Sequence, residues 1–162
     1  LLASRHGSAG VDLPGGRRAL REYGLLRIAR SGPETFDPVE LCPGRTVRLG
    51  GWTASLRGPV SAAVSGPYVM YLRPERLSQP PKLLLRPRQS GDRLRLSGGE
   101  KTVKALMIDA KIPAARRGLL PVAEDGGVAA VCGLGPAWDR MARPGETAWM
   151  LEFYEEGRER HD

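Results

Sequence analysis

The sequence is poor in aromatic residues, 6% of 162 positions, and holds only two cysteines and two histidines. With so few rings, a core has to be assembled from Leu, Val, Ala, Ile and Met. Cys42 and Cys132 cannot build a multi-bridge scaffold, and two reduced thiols are the expected reading over a single disulfide. His6 and His161 stand at opposite ends of the chain. That leaves no ligand spacing for a metal and no Ser or Cys partner for a nucleophile–base pair. No run of apolar residues is long enough for a membrane helix and no signal peptide is visible, so a cytoplasmic location is expected. The first residue is Leu1, not Met, and the sequence therefore reads as a fragment of something longer.

Glycine and proline, 21 and 14 residues, are plentiful and scattered without a period. They read as turns in a strand-rich fold, not as collagen or disorder. Turn signals fall at Leu13-Pro14-Gly15-Gly16, Tyr23-Gly24, Ser31-Gly32-Pro33, Cys42-Pro43-Gly44, Gly50-Gly51, Gly58-Pro59 and Gly66-Pro67. Between them lie short alternating runs such as Arg45–Leu49, Trp52–Arg57, Val60–Val64 and Tyr68–Leu72, the pattern of antiparallel sheet. Lys82–Arg86 and Leu94–Leu96 read as two more short strands. Leu119–Ala123 and Val128–Cys132 flank an Asp125-Gly126 hairpin turn, and Ala148–Tyr154 is a last strand.

A helix is expected from about Glu100 to Ala110. Val103, Leu106, Met107 and Ala110 make one apolar stripe there, and Pro113 enforces the stop. Pro113 is then the first residue of a second, shorter helix through Arg117. The expected class is α+β, with antiparallel strand-rich sheets and two short helices packed on one side. The division expected is a strand-rich part at 1–80, a second part at 81–155 forming one unit with it, and a frayed tail at 156–162.

The net charge is +7, and its distribution is uneven. Residues 1–80 carry +5, residues 81–121 carry +7 from ten basic and three acidic side chains, and residues 122–162 carry −5. Concentrated positive charge suits a polyanion, because each neutralised phosphate releases counterions. A merely solvated basic surface is the plainer alternative.

The informative constellation lies in that middle block. It runs Gly91-Asp92-Arg93-Leu94-Arg95, Lys101-Thr102-Val103-Lys104, Ile108-Asp109-Ala110-Lys111-Ile112-Pro113, Arg116-Arg117 and Leu120-Pro121. Taken in order, it resembles the C-terminal domain of bacterial tRNA(Ile)-lysidine synthetases. Asp12-Leu13-Pro14-Gly15-Gly16, Arg21-Glu22-Tyr23, Gly50-Gly51-Trp52 and Val131-Cys132-Gly133-Leu134 extend the likeness over most of the chain. The resemblance implies a domain related to the tRNA- and protein-contacting modules of phenylalanyl-tRNA synthetase β subunits. It implies a parent enzyme that uses ATP and magnesium to join lysine to the wobble cytidine of an isoleucine tRNA, with the catalytic domain N-terminal to this segment. This part would hold tRNA(Ile) around its acceptor arm and carry no catalytic residue and no cofactor.

The expected RNA-binding residues are Arg93, Arg95, Lys101, Lys104, Lys111, Arg116 and Arg117. Drawn from one loop and two helices, they would form a surface reading phosphates and A-form shape, because the RNA major groove is too narrow for side chains. Several have ordinary alternatives: Arg93 as an internal partner of Asp92, Lys101 and Lys104 as the wet face of a helix, Asp109 as a hydrogen-bond partner between segments. Ser97-Gly98-Gly99-Glu100-Lys101 lacks the Asp and Ser of a pyrophosphatase loop and reads as a flexible turn before the helix. Trp52 and Trp149 are expected in the core, whereas Trp138, in a Gly-Pro loop, is the ring most available for stacking. Glu152, Glu155 and Glu156 read as a solvated, fraying strand. The second functional reading is a protein-interaction module, in which the basic face of one copy docks the acidic block of another as a homodimer.

Overall fold

The computed structural model describes the backbone of residues 9–13, 17–22 and 25–30, and residues 35–156 in full. The turns expected at Pro14–Gly16, Tyr23–Gly24 and Ser31–Pro33, both histidines and the tail 157–162 lie outside the described residues. Two units are present, Leu1–Glu34 and Thr35–Asp162. The first contains a three-stranded antiparallel meander, β1 (Ala9–Leu13), β2 (Arg17–Glu22) and β3 (Leu25–Arg30), in the order β1-β2-β3.

The second unit runs β4 (Val39–Leu41), β5 (Thr46–Leu49), β6 (Trp52–Ser61), β7 (Val69–Leu72), β8 (Leu83–Arg86), β9 (Arg93–Leu96), β10 (Gly99–Thr102), α1 (Val103–Asp109), α2 (Ala114–Arg117), β11 (Val122–Glu124), β12 (Val128–Val131), β13 (Gly135–Pro136) and β14 (Thr147–Glu155). Short 3₁₀ turns occupy Pro74–Arg76 and Trp138–Arg140. A five-stranded sheet has the order β13-β12-β11-β8-β4, a four-stranded sheet the order β5-β6-β14-β7, and β9 and β10 form a separate hairpin. Every pairing is antiparallel. No helix of the described residues is long and apolar enough to cross a membrane.

The two sheets share one apolar core. Leu41, Leu83, Leu85, Val122 and Val131 come from the larger sheet, and Trp52, Leu56, Met70, Leu72, Leu151 and Phe153 from the smaller. Leu94, Val103 and Met107 join the same cluster from the hairpin and α1. Burial of a side chain of this size contributes about 1.5–3 kcal/mol, so these few residues dominate the unit's stability. Trp52 is buried and Trp149 packs against the core, as their strand positions predict. Strand pairing crosses position 80: β4 pairs with β8, and β6 and β7 pair with β14. Residues 35–80 and 81–155 are thus interleaved in both sheets, and the division of the chain falls at Glu34/Thr35.

Three local expectations are corrected. Trp52–Arg57 and Val60–Val64 are not two strands, since β6 continues through Gly58-Pro59 to Ser61. Gly58 and Pro59 face Trp149 as a bulge, because the register steps from Met150↔Arg57 to Ala148↔Val60. Only glycine fits there: a Cβ on Gly58 would stand 2.8 Å from the Trp149 ring and 2.9 Å from the Ala148 carbonyl oxygen. Ser97–Gly98 is a hairpin turn between β9 and β10, not a leader into a helix. The helix accordingly begins at Val103, capped by Thr102, whose Oγ1 accepts from the Ala105 amide at 3.2 Å.

Candidate nucleic-acid interface

The basic block is organised around a buried anchor. Arg86, at the end of β8, has a side chain only 6% exposed. Its Nη1 and Nη2 donate to Oδ2 and Oδ1 of Asp92 at 2.9 and 3.0 Å, and its Nε donates to Glu124 Oε2 at 2.6 Å. Asp92 also accepts from the Gln89 amide at 2.8 Å, and its carbonyl receives the Val103 amide at 2.8 Å. Burial alone would raise the Asp92 carboxyl pKa. The hydrogen bonds from Arg86 and Gln89 and the charges of Arg86 and Arg88 outweigh it, and the carboxyl lies below its ordinary range. Arg86 is held above its own range chiefly by the same hydrogen bond, against the opposing effect of burial. The alternative for Arg93, an internal pair with Asp92, is not what forms. Asp92 turns inward to Arg86, because adjacent strand residues point to opposite faces, and Arg93 is left outside.

Arg93 and Arg95 stand on the outward face of β9, with Leu94 between them turned into the core. Glu100 lies opposite Arg95 on β10, and its Oε2 reaches Arg93 Nε at 3.3 Å. Lys101 is a strand residue, not a helical one; it sits opposite Leu94 and pairs with Asp109 of α1. Asp109 therefore serves as the link between segments that its position suggested. Lys104 is exposed in the first turn of α1.

Lys111 follows α1 with φ +59°, the one non-glycine residue with positive φ among those described. Its amide donates to the Ile108 carbonyl at 2.9 Å, and that of Ile112 to the Met107 carbonyl at 3.0 Å. This is a Schellman ending with lysine at the position where glycine is usual. A left-handed L-residue costs about 1–2 kcal/mol, so Lys111→Gly is expected to raise stability by roughly 0.5–1 kcal/mol, less than the full strain because glycine is more flexible when unfolded. Thermal melting reads this directly, and an unchanged or lower Tm would mean the turn carries no strain.

On α2, Arg116 pairs with Glu155 of β14 and Arg117 Nε donates to the Ile112 carbonyl at 3.0 Å. Glu155 is thus a strand partner, not a fraying residue, and Glu156 lies 3.6 Å from Arg48. The seven cations therefore divide. Arg93, Lys101 and Arg116 are ion-paired and Arg117 is engaged with backbone, while Arg95, Lys104 and Lys111 form no ion pair among the described residues.

One concavity collects part of the set. A groove of about 330 Å³ is lined by Arg93, Arg95, Glu100, Gly127, Asp139 and Arg140. Arg140 escaped the sequence reading. Its Nη1 donates to the Arg76 carbonyl at 3.0 Å and its Nη2 to the Asp125 carbonyl at 2.6 Å, tying three loops together. Those partners are remote in sequence, and no local pattern marks them. A second cleft of about 340 Å³, beside Glu40, Lys82, Glu124 and Asp125, is mainly acidic and unsuited to a polyanion. Trp138, next to Asp139, is 50% exposed. Both thiols are free, and burial, reinforced by Glu155, pushes Cys132 well above its usual pKa, with Arg116 opposing. Among the described residues, no three His, Cys, Asp or Glu side chains gather as a metal site needs.

Residues 83–153 match the family model of the TilS substrate C-terminal domain. The chain is 37% identical over 136 residues to a tRNA(Ile)-lysidine synthase of Symbiobacterium thermophilum, covering 75% of this chain and 28% of that protein. It is 33% identical over 137 residues to the bifunctional protein TilS/HprT of Listeria monocytogenes, covering 77% of this chain and 20% of that one. A crystal structure of a TilS C-terminal domain superimposes with a TM-score of 0.63 at 26% identity, covering 75% of this chain and all of that one. The chain spans between a fifth and three-tenths of the length of these curated relatives.

Proposed function

We propose, from the match of residues 83–153 to the TilS substrate C-terminal domain and the likeness to a tRNA(Ile)-lysidine synthase, that this chain is the tRNA-holding part of such an enzyme. The observation that carries the reading is that all seven predicted cations, Arg93 to Arg117, fall inside the matched segment 83–153. In this reading the whole protein ligates lysine to the wobble cytidine of an isoleucine tRNA. ATP and magnesium act on a separate catalytic domain, and this chain supplies grip and placement. Its partners are the tRNA and that catalytic domain.

The physical chemistry supports grip over base reading. Arg95, Lys104 and Lys111 are exposed, without a carboxylate partner among the described residues, and carried on a hairpin and on α1 and its end, where they can meet phosphates without losing internal ion pairs. The strain at Lys111 places a cation where a glycine would be more stable, which fits a residue kept for contact.

The test is a titration of the 162-residue chain with an isoleucine tRNA transcript over a series of salt concentrations. Three phosphate contacts give a log–log slope of about −2 to −3. A chain that fails to bind tRNA at low salt, or that forms a dimer indifferent to it, would overturn the reading in favour of a protein-docking module.

A further inference from the structure

We propose that the groove between β9 and the β11–β12 turn is a phosphodiester-binding site, in which Arg93, Arg95 and Arg140 hold the phosphate oxygens and Glu100 is an internal anion that the phosphate displaces. This deepens the tRNA reading above and rests on it.

Three guanidiniums facing one concavity repel each other unless something neutralises them. Glu100 and Asp139, which line the same groove, do so in the free protein. The Glu100 contact is loose, at 3.3 Å between half-exposed side chains. A solvent-exposed pair of this kind contributes little, so a phosphate can replace it at small cost.

Donors remain available. Arginine has five N–H groups, and Arg140 commits two of them to the Arg76 and Asp125 carbonyls. Those two bonds fix the plane of the fork before any ligand arrives, and a fixed planar fork suits phosphate geometry. Among the described residues Arg93 is engaged through Nε, by Glu100. The opposite wall is Gly127, where a Cβ would stand 3.7 Å from Arg140 Nη2. The missing side chain leaves open the approach to the guanidinium. The Asp92–Arg86 anchor directly precedes Arg93 and sets the position of β9.

The carboxylates make the site selective. An ordinary basic patch binds any polyanion, whereas a groove already filled by Glu100 admits one only where the rest of the ligand fits. Removing the internal anion should therefore tighten binding, the opposite of what loss of a supporting residue does.

The experiment uses the full 162-residue chain and an isoleucine tRNA transcript, followed by fluorescence anisotropy at several salt concentrations, with thermal melts alongside. Glu100→Gln is expected to raise affinity roughly threefold to tenfold and steepen the salt slope by about one contact, with Tm nearly unchanged. Arg95→Glu is expected to weaken binding at least about tenfold, and the milder Arg95→Gln to lower the slope by about one contact. If the wild-type chain binds tRNA but both Arg95 variants and Glu100→Gln bind equally well, or Glu100→Gln binds more weakly, the groove is not the site while the tRNA reading stands. If an acidic peptide such as polyglutamate competes as well as RNA of equal charge, the assignment to phosphodiester is wrong. Absence of any wild-type tRNA binding overturns both.

Discussion

Replacing Asp92 by Ala is expected to destabilise the second unit by about 3 kcal/mol, the lower end for breaking a buried pair because Glu124 still partners Arg86. The carboxylate is 10% exposed and receives three hydrogen bonds, two of them from a guanidinium that is itself 6% exposed. Without it, a buried positive charge keeps only Glu124 and the Pro87 carbonyl as partners. A buried charge left with one partly exposed carboxylate is still costlier than a lost surface pair. For a unit of this size the loss corresponds to a fall in Tm of more than about 10 °C. The diagnostic variant is the double change Arg86→Met with Asp92→Ala. Removing both charges is expected to recover much of the stability, because an apolar pair escapes the desolvation penalty. Denaturant unfolding of the two singles and the double measures the coupling, and strictly additive losses would show that no buried pair exists.

The same carboxylate gives a pH signature. Its folded pKa is depressed below the ordinary 3.8. The stabilisation is therefore complete above that ordinary value and disappears as pH falls through the folded value. Wild-type stability should decline in the acid range below about pH 4, and Asp92→Ala should show a shallower decline there because one titrating group is gone. An acid profile identical in the two proteins would contradict the anchor.

The largest functional effect is expected from reversing the three cations that form no ion pair among the described residues. Arg95→Glu, Lys104→Glu and Lys111→Glu together remove three contacts and add three repulsions. Isoleucine tRNA affinity near 0.1 M salt should fall on the order of 100-fold or more, and the log–log salt slope should shrink by about 2–3. Folding should survive, since all three side chains are exposed and glutamate at position 111 carries the same left-handed strain as lysine. Reversing Lys101 and Arg116 is a poorer test, because each pairs with an internal carboxylate and its loss mixes folding with binding. If the triple variant binds tRNA like wild type, the cationic face of the hairpin and α1 is not the grip.

Much of the strand architecture was legible because period-two alternation and Gly-Pro punctuation are local signals. Thr46–Leu49, Val69–Leu72, Leu83–Arg86, Arg93–Leu96 and Val128–Val131 all form strands close to where their patterns end. Local reading failed where a distant partner decided the outcome. Gly58-Pro59 looks like a break, yet β14 pairs on both sides of it and absorbs the two residues as a bulge. The stripe of Val103, Leu106, Met107 and Ala110 suggested a helix from about Glu100, yet pairing with Leu94 and Arg95 draws Glu100 and Lys101 into β10 and moves the helix start to Val103. Alternation of the kind seen at Trp52–Arg57 ordinarily leaves one face wet, but Thr53 and Ser55 are buried along with Trp52, Ala54 and Leu56, so both faces of that stretch are covered.

By itself, then, the order of residues determined the antiparallel α+β class, the location of excess positive charge at 81–121 and the likeness of residues 83–153 to the TilS substrate C-terminal domain. These depend on composition, short-range periodicity and ordered motifs, which need no knowledge of the third dimension. Only the tertiary structure decided which cations are spent internally and which are left outward. A charge's partner is set by what lies within a few ångströms, and Arg86 meets Glu124, Arg116 meets Glu155 and Arg140 meets Arg76 across gaps of 38, 39 and 64 residues.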